Sequence, residues 1–288
     1  MSLAAAALLL IAACGGADLG APDGQPDGGA VGAGQDAGDA DGSTAVDAGA
    51  GDGGSAEADG GDTDAGRDAG ADAGTAACLP GTAAIPGAAA CIDRWEGALL
   101  EDLPDGGTRP WSPYLNPGAA LVRAESSAGR QPQGYISGTQ AAAACGRAGK
   151  RLCALSEWLA ACQGAAKRTY PYGTAYVAHA CNEGRTPHPV VEFYGTSVGV
   201  WDSLHMNDAG INQQENTVAR SGAFTQCVTP EGVADLVGNL HEWVSDGSFK
   251  GGYYVDAKLN GNGCLYRTTA HAASYHDYST GFRCCSDR

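Results

Sequence analysis

Eleven cysteines carry most of the chemistry this chain could do. One stands alone at Cys14. The other ten are Cys78, Cys91, Cys145, Cys153, Cys162, Cys181, Cys227, Cys264, Cys284 and Cys285. Cysteine sulfur can bind a soft metal, attack a substrate or close as a disulfide. No C-x-x-C spacing occurs, and the adjacent pair Cys284-Cys285 cannot chelate one ion comfortably, which disfavours zinc. An even set of ten in an exported chain points to disulfides. Cys78 and Cys91 flank a short Pro/Gly loop and are expected to pair with each other. Spacing leaves the remaining connectivities open. His271 and His276 follow Cys264 closely enough to suggest a Cys/His metal site or an acid–base pair. Satisfied loop histidines have the same spacing.

The chain that positions these groups is two polymers in one. It has 288 residues, a net charge of -16 and 45 glycines, and it is 43% apolar but only 7% aromatic. Residues 18–74 hold 14 acidic residues and one base, Arg67, a net of -13, against 16 bases and 19 acids, a net of -3, in 78–288. The acidity therefore belongs to one low-complexity stretch. A nucleic-acid partner is disfavoured because phosphate contacts need a basic surface. No apolar run reaches the length of a spanning helix. Residues 78–288 suffice for one substantial core.

Residues 1–13 read as a signal segment with a short apolar run. Ile11-Ala12-Ala13-Cys14 resembles the lipoprotein box of bacteria, in which cleavage precedes a cysteine that is then acylated. No Lys or Arg precedes the run, a departure from that pattern. Several acyl chains hold a membrane stably where one is marginal. The resemblance implies lipidation at Cys14 and a place in the bacterial cell envelope, at the outer membrane or surface. Residues 14–77 form a Gly/Ala/Asp linker with repeats such as Asp64-Ala65-Gly66 and Asp68-Ala69-Gly70. It lacks the apolar bulk to offset ordering entropy and is expected to be disordered, with a reach of roughly 40–45 Å.

Beyond Cys78 the pattern is α+β with little regular structure. Helices are expected over 138–148 and 155–163, the second with Leu155, Trp158, Leu159 and Cys162 on one face. Short strands are expected at 92–95, 242–245, 252–255, 265–269 and 281–285.

An ordered set of short motifs runs through this segment. Gly149-Lys150-Arg151-Leu152 leads to Glu157-Trp158 and Ala161-Cys162-Gln163-Gly164. Tyr170-Pro171-Tyr172-Gly173 and Cys181-Asn182 follow. Then come Asp235-Leu236-Val237-Gly238-Asn239-Leu240-His241-Glu242-Trp243, Gly251-Gly252, and Gly281-Phe282-Arg283-Cys284. The set resembles the formylglycine-generating enzyme (sulfatase-modifying factor) family over most of residues 90–288. That resemblance implies a C-type-lectin-like fold, loop-rich and disulfide-stapled.

It also implies chemistry. Family enzymes oxidise a substrate cysteine with copper(I) held by two thiolates, four and nine residues after the second glycine. Those positions here are Asp256 and Gly261, and the expected serine is Tyr253. Cys264 lies near enough to be a second ligand after a small insertion. Its other fate is a disulfide, with Cys227 as one partner. A lone thiolate beside a hard carboxylate is a poor copper(I) site, so copper is not expected. The resemblance further implies structural calcium on the Asp235 and Glu242 side chains with the Gly238 and Leu240 carbonyls, hard oxygens suited to that ion. A second calcium site would begin at Asn182, with Asp202 or Asp208 as its later acid. It implies a Cys145–Cys284 disulfide, leaving Cys153 and Cys285 to pair with each other or with Cys162 or Cys181. Arg151, Trp158, Trp243 and Arg283 are expected in packing and ion pairs. Trp111, Tyr114 and Tyr275 are expected on an exposed ligand surface. The chain thus reads as a lipoprotein displaying a non-catalytic domain that binds an envelope protein or glycan. The alternative is a copper-dependent oxidase acting on sulfatase-type cysteines.

Overall fold

A computed structural model describes residues 77–288. Cys14, the signal segment and nearly all of the linker lie outside the described residues.

Helix α1, Gly138–Arg147, starts where the sequence supplies a cap. Ser137 Oγ accepts from the Gln140 N–H at 3.2 Å, and Gln140 Oε1 accepts from the Ser137 N–H at 3.0 Å. This reciprocal pair satisfies N–H groups that a helix start leaves without partners. A Cβ at Gly138 would lie 3.0 Å from the Trp243 ring, a tight contact that glycine avoids. Helix α2, Leu155–Gln163, has alanine at its cap and relies instead on Glu157, whose Oε2 accepts from the Ala154 N–H at 2.8 Å. Gly164 ends it at φ +60°. Two shorter helices follow, α3 at Pro189–Tyr194 and α4 at Ser203–Met206.

The strands form three small sheets. In the first, β1 (Thr82–Ala84), β2 (Ala90–Asp93), β11 (Cys284–Asp287) and β6 (Arg151–Leu152) lie side by side in that order. The second runs β10 (Thr280–Phe282), β7 (His241–Trp243), β8 (Phe249–Lys250), β9 (Arg267–Thr268), with β10 and β7 parallel. The third, β4 (Thr108–Pro110), β3 (Ala98–Asp102), β5 (Val122–Glu125), has no counterpart among the sequence expectations. Two expectations are corrected. No strand forms at 252–255, because Gly251 and Gly252 both take φ near +80° and +70° (81 and 74) and turn the chain out of the ladder after Lys250. The single strand expected at 281–285 is two strands in different sheets, with Arg283 at the switch.

Adjacent strand residues face opposite sides, and β11 uses this. Cys284 bonds Cys145 of α1, and Cys285 bonds Cys153 just before α2. The first bond lies in a core with Trp243, Phe249 and Phe282, the second in a core with Ile92, Trp158 and Leu236. A third cluster gathers Tyr135, Tyr254, Tyr278 and Ile211. The other disulfides join Cys78 to Cys91, Cys162 to Cys264, and Cys181 to Cys227. The result is a loop-rich α+β fold stapled five times. Among the described residues, no helix is long and apolar enough to cross a membrane.

Candidate functional site

The segment after β8 is where the resemblance implies copper thiolates. Gly251 and Gly252 are both crowded as well as left-handed: a Cβ on the first would meet the Leu236 carbonyl oxygen at 2.5 Å, and on the second the Asp256 carbonyl oxygen at 2.4 Å. They aim the chain into a turn that Asp256 then holds. Its carboxylate accepts the N–H groups of Lys258 at 3.0 Å and Leu259 at 3.1 Å. Gly261, at φ +108°, packs against the Leu265 carbonyl. Both positions are parts of a turn. Cys264 is fully buried and bonded to Cys162, which corrects Cys227 as its partner. Every cysteine among the described residues is in a disulfide. The residues present therefore do not fit a thiolate-held copper(I).

Tyr253 fills the space beside this turn. Its hydroxyl lies 3.4 Å from His188 Nε2 and 3.5 Å from the Tyr278 hydroxyl. Burial and nearby Arg185 lower His188 to about 4, so it is neutral near pH 7. His271 stacks on Tyr275 with ring centres 3.7 Å apart, and His276 Nδ1 meets Asn207 Oδ1 at 2.7 Å. Neither histidine meets a free thiol, since every cysteine among the described residues is in a disulfide, so the Cys/His alternative is not formed. Gly195-Thr196-Ser197-Val198-Gly199 has the spacing of a nucleophile elbow. It follows a helix instead of joining strand to helix, and the Ser197 carbonyl simply accepts from Trp201 Nε1.

The loop from Asp235 to Glu242 builds a buried acid cluster. Glu242 Oε2 accepts from Trp158 Nε1 at 2.6 Å and from Arg283 Nε at 2.7 Å, while Oε1 accepts from Arg283 Nη2 at 2.5 Å. Asp235 Oδ2 accepts from the Gly222 N–H at 2.6 Å. Glu96 accepts from the Leu240 N–H and from Asn239 Nδ2. Burial, with the neighbouring Asp235 and Glu242 charges, pushes Glu96 well above the usual carboxylate range; burial pushes Asp235 up to about 6. Three buried carboxylates thus face one guanidinium. An ionised carboxylate has about four acceptor sites, and Glu242 uses three. Calcium takes oxygen donors of this kind, and here Arg283, Trp158, Asn239 and backbone N–H groups already engage the three carboxylates.

The second expected calcium set is not assembled. Asp202 caps α4 and pairs with His205 at 2.8 Å; Asp208 accepts from the Gly210 N–H. Neither lines the cleft of about 650 Å³ that Asn182 borders. Asn212, Gln214 and Thr217 border it instead. Among the described residues, no group of three or more His, Cys, Asp and Glu side chains is arranged to hold a metal.

Trp158, Trp243 and Arg283 are buried, while Arg151 is partly exposed and pairs with Glu157 and Asp287. The three aromatics expected on an exposed surface are half-buried, which corrects that expectation. Trp111 Nε1 donates to the Leu115 carbonyl, Tyr275 donates to Asp277, and Tyr114 lines the Asn182 cleft. Sequence reasoning missed the other cleft residues. Their signal was the amide run Asn212-Gln213-Gln214 with Asn216.

Residues 115–288 match the family model described as "Sulfatase-modifying factor enzyme 1-like domain". The chain belongs to that family. A search of curated proteins finds no match.

Proposed function

We propose that this member of the sulfatase-modifying factor family does not make formylglycine, and serves as a lipid-anchored display domain in the bacterial cell envelope. The observation that carries the reading is the fate of sulfur. Asp256 and Gly261 stand where copper ligands belong, and Cys264 is spent on Cys162. A carboxylate is too hard for copper(I), and a disulfide sulfur is not a thiolate. Acylation of Cys14 would supply the anchor, and the acidic linker the distance from the membrane. The partner is an envelope protein or glycan. Calcium on Asp235, Glu242 and the Gly238 and Leu240 carbonyls would neutralise the buried acids and order a loop with few ladder partners.

The deciding experiment supplies the full chain with copper, oxygen and a Cys-x-Pro-x-Arg peptide, and measures aldehyde. Background signal is expected, as is no free thiol in the unreduced mature protein. Turnover comparable with active family members would overturn the reading. Palmitate labelling is expected to vanish in Cys14→Ala; its persistence would reject the anchor.

A further inference from the structure

We propose that the cleft beside Asn182 binds a neutral carbohydrate chain, a ligand class that rests on the display-domain reading above. Its volume of about 650 Å³ lies in the range of small-ligand sites.

Amides make up much of the lining: Asn182, Gln213, Gln214 and Asn216, with Asn212 and Thr217 buried behind them and bonded within the fold. Sugar hydroxyls both donate and accept, and carboxamides offer the matching pair of functions on one planar group. The charges in the wall are already used. Arg185 pairs with Glu192 at 2.5 Å and also donates to the Glu215 carbonyl. Glu183 accepts from the Tyr176 hydroxyl at 2.5 Å and faces Lys258 at 3.7 Å. An anionic ligand would find no spare cation, and a cation no spare carboxylate. Tyr114 and Phe224 add rings to the wall, suited to the apolar C–H faces of a pyranose.

The wall is also preformed. Asn182 Nδ2 is fixed by the Thr217 carbonyl at 2.9 Å and Asn239 Oδ1 at 2.8 Å. Gln214 Nε2 is fixed by the Pro189 and Ile211 carbonyls, both at 2.9 Å. The N–H groups of Asn182 and Gln214 are thus committed while their oxygens keep acceptor capacity, and the exposed Gln213, which gives one N–H to the Ala209 carbonyl, keeps a donor as well. Cys181, in the wall, is tied to Cys227. His179 and Asn216 both line the cleft with left-handed backbones, at φ +61° and +56°. Such conformations persist where surrounding structure holds them, and they gather at ligand sites. A site ordered before binding loses little entropy on binding. A peptide is the other occupant amides could serve, and it is one of the outcomes tested.

The test is calorimetric titration of the full chain with maltotriose, tri-N-acetylglucosamine and mannotriose, beside trigalacturonate and tetra-alanine. At least one neutral trisaccharide is expected to bind one-to-one with a Kd of about 1 mM or tighter. The variant carrying Asn216→Ala and Gln213→Ala is expected to bind it about 10-fold more weakly. Both side chains are exposed, and circular dichroism should show the fold unchanged. No binding by any neutral trisaccharide, tighter binding of trigalacturonate or tetra-alanine, or full affinity in the variant would each overturn the proposal. Aldehyde formation is measured separately. Its absence together with absent sugar binding rejects only the carbohydrate; its presence rejects the display reading.

Discussion

Arg283 holds both carboxylate oxygens of Glu242 through its Nε and Nη2, at 2.7 and 2.5 Å, and neither side chain is more than 1% exposed. Arg283 also donates to the carbonyls of Asp93 and Ala234, at 3.1 and 2.9 Å. One guanidinium therefore ties the strand switch between β10 and β11 to the end of β2 and to the loop that leads into Asp235. Removing one partner of a buried pair leaves an uncompensated charge, at a cost of about 3–5 kcal/mol. Arg283→Met is expected to lose about that much stability in urea unfolding. Adding Glu242→Leu to it is expected to recover a large part, because the orphaned charge is gone. A double variant no more stable than the single one would contradict this account.

The acid cluster gives calcium a measurable signature. At a concentration 100 times its Kd, a ligand binding only the folded state adds about 2.7 kcal/mol. Calcium is expected to raise the melting temperature of the full chain, and a chelator to reverse the rise. Asp235→Asn is expected to abolish the difference. Identical melting with and without calcium would remove the ion from this loop.

Cys162 and Cys264 are 102 residues apart in sequence, and their bond ties α2 to the turn beyond Asp256. Replacing both with serine is expected to cost about 2–4 kcal/mol. Peptide aldehyde should stay at background in this variant as in the parent. A stability loss near zero would show that the turn is held by other means.

His188 predicts an acid sensitivity with a defined sign. Its folded value is near 4 against an ordinary 6.5, because burial opposes the charged ring. The unfolded chain therefore takes up the proton first as pH falls. The stability contribution is complete above about 6.5, shrinks as pH falls, and is gone below about 4, with a span on the order of 3 kcal/mol. Urea midpoints at stepped pH should fall over that window, and more steeply in the parent than in His188→Gln. Parallel curves would assign the acid sensitivity to other groups.

The local features were legible because their causes lie within a few residues. Ser137 and Gln140 cap α1 and Gly164 ends α2, each by short-range sterics and hydrogen bonding. The replacement of thiolate positions by Asp256 and Gly261 is likewise a matter of residue identity. Gly251 and Gly252 misled the strand reading at 252–255, since apolar residues beside them mimic a strand whose backbone they prevent.

Sequence alone determined that this chain has ten cysteines beyond Cys14, a family scaffold in order, and carbon and oxygen where sulfur ligands would stand. Only tertiary structure decided that Cys264 meets Cys162, that Arg283 meets Glu242, and that the amides at 212–216 face Asn182 across one cleft. These meetings join residues about 30 to 100 positions apart. Their geometry depends on how whole elements pack, which no short-range preference of the chain encodes.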